Sequence, residues 1–488
     1  MSILTKSDYL CGIQCLRWLW INKNDKERIP ELSKVEKAKL EEGYIIEEYA
    51  KSLFPDIIDL SKLDFKEQIE KTKKYIGKRV PLFQASFLYE DLYARGDILL
   101  PIENEKWDII EVKSSTEAKE IHLEDLAFQK YVYEKCGLKI RKCFILHINK
   151  EYIKQEEINP KEFLMQTEVT DKVEATEEIE ERARKMLEVI NRDCPDFSVD
   201  DLLTIEYENI AKDEFMNSLP ENNIFEFVRI LKKKAVPLYK EGIVKMTDVP
   251  DWFKLNDKQK IQRYVAENGG KHIDKKKIKS FLDNLQYPLY YFDFETIYSA
   301  VPKFDNAKPY QQIPFQFSLH IQDEPNGELR HLSFLAESKA DPRPTLLKVL
   351  KENLGDKGDI LVYNQSFEKK VLKEGAEFFP EFTDLIENNL LPRVKDLMEV
   401  FSKFYYYDQR QKGSVSIKYV LPLLSDLKYN DLEIEKGDMA SFEFERVTYG
   451  DVSEEERQRI RKALEEYCEL DTLAEVEIVK ALRNIVGF

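Results

Sequence analysis

The sequence predicts an α/β protein with more than one domain. Apolar segments typical of strands occur at residues 95–100, 107–112 and 287–296, and another buried strand leads into a helix at 361–368. Other segments, such as 125–133 and 464–474, have apolar residues at helical spacing. A chain of 488 residues, 43% hydrophobic and 34% charged, fits two or three globular domains that each bury a core.

The first two predicted strands carry acidic residues. Asp97 lies in the segment 95–100, and Glu111 and Lys113 end the next strand. Pro101 and the polar residues after it predict a turn, and a hairpin of this kind would set Asp97 beside Glu111. Because side chains alternate along a strand, Glu111 and Lys113 share one face. Two carboxylates and an ammonium can hold a divalent metal and activate a water, although a charged edge strand would have a similar pattern.

Helices are predicted on both sides of this hairpin. The segment 42–50 reads as a helix with an acidic face, which offers one more carboxylate. Glu47 and Glu48 both fit that position, and Glu48 is favoured. The segment 125–133 places Gln129 and Tyr133 four residues apart, on one helical face.

This order of elements resembles the RecB-type branch of the PD-(D/E)XK nucleases. The resemblance implies a restriction-endonuclease-like domain at residues 1–160. It also implies that Asp97 and Glu111, with Glu48, bind metal and that Lys113 orients or activates water. Gln129 and Tyr133 would then support the site and the DNA.

A helical connecting region is predicted at residues 161–285. Its apolar residues have mostly helical spacing, with breaks near Val249-Pro250 and Gly269-Gly270. The region could steer a strand between two active sites, or it could be scaffold that completes the nuclease core.

A second acidic set begins near residue 287. Asp293 and Glu295 fall on one face of a predicted strand, Glu368 follows the strand at 361–363, and Asp471 lies on a later helix. Acidic residues so far apart in the chain are not one local charge cluster. They suit two metal ions that clamp an attacking water and a leaving oxygen.

This second set resembles the DEDD exonucleases, the DnaQ-like branch of the RNase H-like fold, and implies such a domain at residues 286–488. Tyr467 occupies the place of the tyrosine subtype, whereas Glu466 stands where the histidine subtype has its histidine. Tyr467 would position or deprotonate the water. Because a phenol ordinarily titrates near pH 10, we expect positioning.

The second acidic motif departs from that family. It ordinarily ends in Asp, and here Glu368 stands at that place, one methylene longer and still able to reach a metal. Asp396 is the weaker substitute, and a role as a strand-end or helix-capping carboxylate is preferred for it. The departure makes the carboxy-terminal domain the better candidate for a catalytically silent one.

Taken whole, the chain resembles a bacterial architecture in which a RecB-like nuclease is joined to a carboxy-terminal domain of uncharacterised function. Residues 412–422 and 429–440 are similar to signatures of that terminal domain. The resemblance implies Mg²⁺ or Mn²⁺ as cofactor. No iron–sulfur cluster is expected, because the six cysteines are scattered along the chain, at Cys11, Cys15, Cys136, Cys143, Cys194 and Cys468.

The function expected from these motifs is metal-dependent hydrolysis of DNA at two sites, the second a 3′–5′ exonuclease, in repair, recombination or defence. Single strands or free ends are the expected substrates, and no protein partner is indicated. Two alternatives stay open: an RNA 3′–5′ exonuclease, and a nucleic-acid-binding or assembly module with one silent domain. The net charge of −17 argues against a broad nucleic-acid coat. A polar amino terminus and the absence of long apolar runs predict a cytoplasmic protein without membrane contact.

Overall fold

The computed structural model describes residues 2–429 and 432–487. It confirms a mixed α/β protein and divides into two compact units. Unit 1 comprises Met1–Leu219 with Ser299–Tyr310, and unit 2 comprises Pro220–Tyr298 with Gln311–Phe488.

Unit 1 is built around a mixed sheet. Its strands are β1 (Leu4–Thr5), β2 (Ile58–Asp59), β3 (Leu82–Tyr89), β4 (Leu92–Ile102), β5 (Lys106–Lys113), β6 (Lys139–Ile148) and β7 (Leu164–Glu168). Its helices are α1 (Lys6–Gln14), α2 (Leu16–Asn24), α3 (Lys34–Ser52), α4 (Phe65–Ile76), α5 (Glu120–Lys135), α6 (Pro160–Phe163), α7 (Thr170–Glu174), α8 (Ile179–Ile190) and α9 (Ile210–Ser218).

The strand order in this sheet is β2-β3-β4-β5-β6-β7, with β1 paired to β4. Strands β3, β4 and β5 are antiparallel neighbours, and β5 pairs with β6 in parallel. Helix α5 packs on β3 to β6, and α3 packs on β5. Two apolar clusters fix these helices: one contains Leu126 and Phe128 of α5, and the other contains Ile46 and Ala50 of α3. Side chains in the middle of β4 and at the end of β5 are thereby held beside α5.

The predicted hairpin is confirmed, since β4 and β5 pair antiparallel across the turn that follows Ile102. The helix predicted at 42–50 is part of the longer α3, which begins at Lys34. It starts there because the Ser33 hydroxyl accepts a hydrogen bond from the backbone N–H of Glu36. In return, the Glu36 carboxylate accepts one from the backbone N–H of Ser33.

Unit 2 contains a second mixed sheet and a small two-stranded one. Its strands are β8 (Lys271–Ile273), β9 (Leu289–Ile297), β10 (Ile313–Gln322), β11 (Leu329–Leu335), β12 (Asp359–Val362), β13 (Val394–Asp396) and β14 (Tyr406–Asp408). Its helices are α10 (Lys232–Lys240), α11 (Asp257–Asn268), α12 (Lys275–Asp283), α13 (Arg343–Asn353), α14 (Gln365–Phe378), α15 (Leu391–Arg393), α16 (Glu399–Ser402), α17 (Ile417–Leu424), α18 (Gly437–Tyr449) and α19 (Glu454–Val486).

The larger sheet of unit 2 has the order β11-β10-β9-β12-β13. Strands β9, β10 and β11 are antiparallel neighbours, whereas β9, β12 and β13 run parallel. The long helix α19 packs on β9 and β10. It starts at a Ser453 cap with three glutamates in its first turn, which suits the positive end of a helix dipole. The strand that carries Asp293 therefore faces the helix that carries Asp471.

The region 161–285 is mostly helical, but it also contains β7 and β8, and it is divided between the two units at Leu219 and Pro220. Strand β7 extends the sheet of unit 1 by pairing with β6. The later segment Ser299–Tyr310 also folds with unit 1, where Ala300 joins the apolar cluster of Ile46 and Phe163. Local patterns do not predict this, because the contacts join residues far apart in sequence.

Within the part of the chain that the structure describes, no helix combines the length and apolar character that crossing a membrane would require.

Candidate active sites

The first candidate site lies where the ladder between β4 and β5 ends. The paired residues run from Ile102 and Lys106 to Ile98 and Ile110. Beyond them, Oδ2 of Asp97 accepts a hydrogen bond of 2.7 Å from the backbone N–H of Val112. Asp97 is thus held beside Glu111, as the hairpin prediction required, and both side chains are buried.

Gln84 joins Asp97 to helix α3. Its amide nitrogen donates to Asp97 Oδ1 at 3.0 Å and to Glu47 Oε2 at 3.2 Å. The backbone of Gln84 has φ 59°, a left-handed conformation that is unusual for a non-glycine residue within a strand. Such strain costs on the order of 1–3 kcal/mol and concentrates at functional sites. The surrounding sheet holds Gln84 in the conformation that presents its amide to the two carboxylates.

Two lysines neutralise the remaining carboxylates of this cluster. Lys113 Nζ lies 2.7 Å from Glu111 Oε1 and 2.6 Å from Asp125 Oδ2. Lys6 Nζ bridges the same two side chains at 2.8 and 3.2 Å. Gln129 completes the arrangement, because its Nε2 donates at 2.8 Å to both Glu111 and Asp125.

Gln129 and Tyr133 are fully buried against Gly96. A Cβ placed at Gly96 would overlap Gln129 Oε1 and the Tyr133 hydroxyl. Tyr133 in turn donates to the carbonyl of Ala85 at 3.1 Å. The Gly-Asp pair at residues 96 and 97 is therefore explained by packing as well as chemistry: the glycine lets α5 approach β4 so that Gln129 reaches Glu111.

We predict that Gly96→Ala destabilises unit 1 by about 1–3 kcal/mol, the usual cost of forcing a methyl group into a packed interior. Denaturant unfolding followed by circular dichroism would measure the change. Gly43→Ala is the matched control, since a Cβ at Gly43 on α3 meets nothing within 4 Å. That variant should be neutral or more stable by up to about 1 kcal/mol. Equal stabilities of the two variants would contradict the packing described.

Burial and mutual repulsion set the charges in this cluster. Burial, followed by the Glu111 carboxylate, raises the pKa of Asp97 to about 8. Burial also acts to raise the pKa of Asp125, but Lys113 and Lys6 outweigh it and hold that pKa below its ordinary value. The pKa of Glu47 is raised by burial and by Glu111. At neutral pH without a metal, Asp97 keeps a proton, which an incoming cation would displace.

The raised pKa of Asp97 predicts a pH-dependent stability in the presence of chelator. The unfolded chain loses the Asp97 proton near pH 4, whereas the folded chain keeps it until about pH 8. The folded state therefore binds more protons in this window, and stability falls as pH rises through it. We expect the melting temperature in EDTA to drop between pH 5 and pH 8. Asp97→Asn should make the slope measured by calorimetry less steep, while the buried carboxylates of unit 2 keep the rest of it, and an unchanged slope would count against this assignment.

The structure brings Glu47, and not the favoured Glu48, to the side of Asp97. Glu48 pairs with Lys51 at 2.5 Å, and its side chain is 64% exposed. Glu47, one residue earlier, accepts from the amide of Gln84 beside Asp97. Successive helical residues point about 100° apart, so only one of the two glutamates can face the sheet.

Three residues of this cluster were missed from sequence. Asp125 precedes Gln129 by one helical turn, and that spacing could have identified it. Lys6 and Gln84 carry no comparable signal, because each reaches the cluster through the packing of a distant element.

The second candidate site is a group of carboxylates between β9 and α19. Oxygens of Asp293, Glu295 and Asp471 all lie within 4.8 Å of one another. Burial and the neighbouring carboxylates raise the pKa of Asp293 and of Glu295, and burial raises that of Asp471 to about 6. The prediction that Asp293 and Asp471 converge is confirmed in geometry.

Two glutamates border this group. Glu368 on α14 and Glu475, one turn after Asp471, are both buried, and Oε2 of each has no hydrogen-bond partner. Burial raises the pKa of Glu368 to about 8. Burial, then Asp293, Glu368 and Asp471, raises the pKa of Glu475. Glu475 was missed from sequence, although its spacing from Asp471 on one helical face was visible.

Two tyrosines and a lysine lie on another side of Asp471. The Tyr429 hydroxyl donates to Asp471 Oδ1 at 2.6 Å. Lys418 Nζ lies 3.5 Å from the Tyr467 hydroxyl and 5.3 Å from each of the two tyrosine rings. Burial, and then the nearby carboxylates, raises the pKa of Tyr467, so its hydroxyl stays protonated. Tyr467 is therefore suited to donating or positioning, as expected, and not to acting as a base.

Glu466 and Asp396 have other roles. Glu466 pairs with Lys462 at 3.4 Å, with half of its side chain exposed. Asp396, at the end of β13, accepts from the backbone N–H groups of Asn364 and Met398 at 3.1 and 3.0 Å. Asp396 therefore caps backbone N–H groups, which is the role preferred for it from the sequence.

The donor atoms of both clusters fit a hard divalent cation. Mg²⁺ and Mn²⁺ are bound in proteins mainly by carboxylate oxygens, and sites with one or two direct carboxylates are common. In unit 2, the Lys418 ammonium offsets only part of the rise in the pKa of Glu295 and Asp471 that burial causes. The unpartnered oxygens of Glu368 and Glu475 are costly to bury without a cation or a proton. In unit 1, Lys6 and Lys113 already supply charge, so fewer positions are left for a metal.

Part of unit 2 is similar to a described domain. Residues 290–416 match a family model described as "Domain of unknown function (DUF2779)". This range includes Asp293, Glu295 and Glu368.

Similar curated proteins come from mycoplasmas. The "Uncharacterized protein MG366 homolog" of Mycoplasma pneumoniae is 26% identical over 339 residues, which is 59% of this chain and 50% of that protein. The "Uncharacterized protein MG366" of Mycoplasma genitalium is 28% identical over 43% of this chain and 34% of its own length. "Uncharacterized protein UU173" of Ureaplasma parvum is 27% identical over 40% and 31%. The chain thus spans half or less of the length of these relatives.

Proposed function

We propose that the protein is a metal-dependent nuclease that hydrolyses phosphodiester bonds of DNA, with one site in each unit. The observation that carries the proposal is the convergence of Asp293, Glu295 and Asp471, with carboxylate oxygens within 4.8 Å of one another. Asp293 and Glu295 come from a strand, and Asp471 comes from a helix and lies more than 170 residues later in the chain. Electrostatic repulsion makes such a buried group unfavourable unless cations or protons neutralise it.

In unit 2 the proposed chemistry is removal of nucleotides from a 3′ end, in an RNase H-like domain of the DEDD type. The mixed sheet with Asp293 on the strand between β10 and β12 supports that fold. A bound pair of Mg²⁺ or Mn²⁺ ions stabilises the charge of the attacking and leaving oxygens. Asp293, Glu295 and Asp471 would bind the cations, with Glu368 and Glu475 as further oxygen donors. Tyr467 would hold a water by its hydroxyl, and Tyr429 fixes the orientation of Asp471.

In unit 1 the proposed fold is of the PD-(D/E)XK type, and Asp97, Glu111 and Glu47 would hold the cation. Lys113 lies beside Glu111 and could hold a water or a phosphate oxygen by its ammonium group. Gln129 orients Glu111, and Tyr133 supports Gln129 through their common packing against Gly96.

One experiment tests the proposal directly. Single-stranded DNA, duplex DNA and RNA of one sequence, labelled at either end, are incubated with the protein and Mg²⁺, Mn²⁺ or chelator. We expect metal-dependent loss of DNA, with one product pattern removed by Asp293→Ala and another by Lys113→Ala. Faster loss of RNA, abolished by Asp293→Ala, would instead support an RNA exonuclease. No cleavage under any condition would contradict the proposal.

A second candidate function is that unit 1 binds nucleic acid without cutting it. The favouring observation is that Lys6 and Lys113 occupy both Glu111 and Asp125, so two of the buried carboxylates are already ion-paired. In that case Lys113→Ala would leave every product pattern unchanged while it weakened DNA binding in a gel-shift assay.

A further inference from the structure

Two histidines of unit 2 lie side by side next to helix α19. His320 on β10 and His331 on β11 are directly opposite each other in the antiparallel register. Their rings stack with centroids 4.4 Å apart. Glu469, two residues before Asp471 on α19, brings a carboxylate oxygen to 3.6 Å from His331 Nδ1. Nitrogen and oxygen donors of these three residues all lie within 4.8 Å of one another.

Hydroxyl groups already orient both rings. His320 Nδ1 lies 2.8 Å from the Thr472 hydroxyl, and His331 Nε2 lies 3.0 Å from the Ser318 hydroxyl. The two hydroxyls are themselves hydrogen-bonded at 2.7 Å. These contacts leave His320 Nε2 and His331 Nδ1 as the ring nitrogens that are not bonded to the two hydroxyls. Metal-binding histidines are ordinarily fixed in this way, through a hydrogen bond at the ring nitrogen that does not bind the metal.

The distances between the donor atoms and the exposure of two of the three side chains suit a small cation. Two ligands that each lie about 2.1 Å from one ion can be at most about 4.2 Å apart, and the contact between His331 and Glu469 is already shorter. The side chains of His331 and Glu469 are 27% and 47% exposed, so an ion can reach them and Glu469 can rotate toward it. Two imidazoles and a carboxylate prefer Zn²⁺ and similar transition metals, whereas the carboxylate cluster prefers Mg²⁺ or Mn²⁺.

We infer that His320, His331 and Glu469 bind one transition-metal ion of the Zn²⁺ type, with a water as the fourth ligand. The ion joins the edge of the sheet to α19. Because Glu469 and Asp471 lie on the same turn of that helix, binding would also stiffen the helix where Asp471 faces the carboxylate cluster. The inference does not depend on nuclease activity.

Cobalt binding tests the inference, since Co²⁺ replaces Zn²⁺ and absorbs visible light in such sites. The full chain is stripped with chelator and titrated with Co²⁺ in excess Mg²⁺, which is added to compete with Co²⁺ for the carboxylate cluster. We expect one Co²⁺ per chain, displaced by Zn²⁺. His331→Ala and Glu469→Gln should each weaken Co²⁺ binding at least tenfold. Thr472→Val, which removes an orienting hydroxyl, should weaken it by about 10–100-fold.

Two controls separate this site from others. His272→Ala, on β8, and Asp293→Asn should both keep the cobalt spectrum. Circular dichroism and the melting temperature in chelator would show that His331→Ala and Glu469→Gln are folded, as expected for partly exposed positions. Absence of a visible band in the wild-type protein would overturn the inference. So would equal Co²⁺ affinities of the wild-type protein, His331→Ala and Glu469→Gln.

Discussion

Asp293→Asn should slow the metal-dependent release of nucleotides from DNA ends on the order of 1,000-fold. The substitution keeps the size of the side chain but removes a charge from the centre of the unit 2 cluster, where Asp293 faces Glu295 and Asp471. Loss of cation binding removes several kcal/mol of transition-state stabilisation, and about 4 kcal/mol corresponds to that factor. Initial rates on a 3′-labelled single strand at saturating Mn²⁺ would measure it.

Asp323→Asn is the matched control for this prediction. Asp323 also belongs to unit 2, but it pairs with Arg330 on the surface, where its side chain is 66% exposed. Its replacement should leave the rate unchanged. Relief of repulsion between buried carboxylates should also make Asp293→Asn at least as stable as the wild-type protein in chelator. A slow and unstable variant would point to a folding defect, and an unchanged rate would exclude Asp293 from catalysis.

Lys113→Ala should reduce cleavage by unit 1 by about 100- to 10,000-fold, the usual range for a positioned group that moves protons or orients water. The ammonium group of Lys113 lies between Glu111 and Asp125, and Lys6 partly replaces its charge when it is removed. Metal binding should therefore persist, or strengthen, because one competing cation has left Glu111. The loss of rate with retained Mn²⁺ affinity distinguishes a role in chemistry from a role in structure.

Lys130→Ala on the same helix as Asp125 provides the comparison for Lys113→Ala. Lys130 pairs with Glu134 and Glu174 away from the cluster, and its loss should change neither rate nor affinity. If Lys113→Ala retained full activity on every DNA substrate, unit 1 would be better described as a binding module.

The parts of both sites that the sequence predicted are those encoded by local spacing. Alternation along a strand placed Glu111 with Lys113 and Asp293 with Glu295. Helical spacing placed Gln129 with Tyr133 and Tyr467 near Asp471. The acidic face of α3 is visible in the sequence, and both Glu47 and Glu48 fit it. Which of the two lies beside Asp97 depends on the rotation of the helix relative to the sheet, and packing sets that rotation.

The parts that the sequence did not predict depend on tertiary packing. Lys6 reaches Glu111 because α1 packs on α5 and β4, which are far away in the chain. Gln84 reaches Asp97 through a left-handed backbone conformation that its residue type does not suggest. The segment Ser299–Tyr310 folds with unit 1 because Ala300 enters a distant apolar cluster and its N–H donates to Glu42 at 2.6 Å. No local pattern encodes such contacts.

The proposed chemistry of unit 2 requires its buried carboxylates to hold divalent cations. Anomalous diffraction from crystals soaked in Mn²⁺ would show whether they do. We expect a manganese peak between Asp293, Glu295 and Asp471, and no such peak in crystals of Asp471→Asn. Well-ordered crystals with no manganese between these three carboxylates, at a concentration that saturates ordinary Mn²⁺ sites, would contradict it.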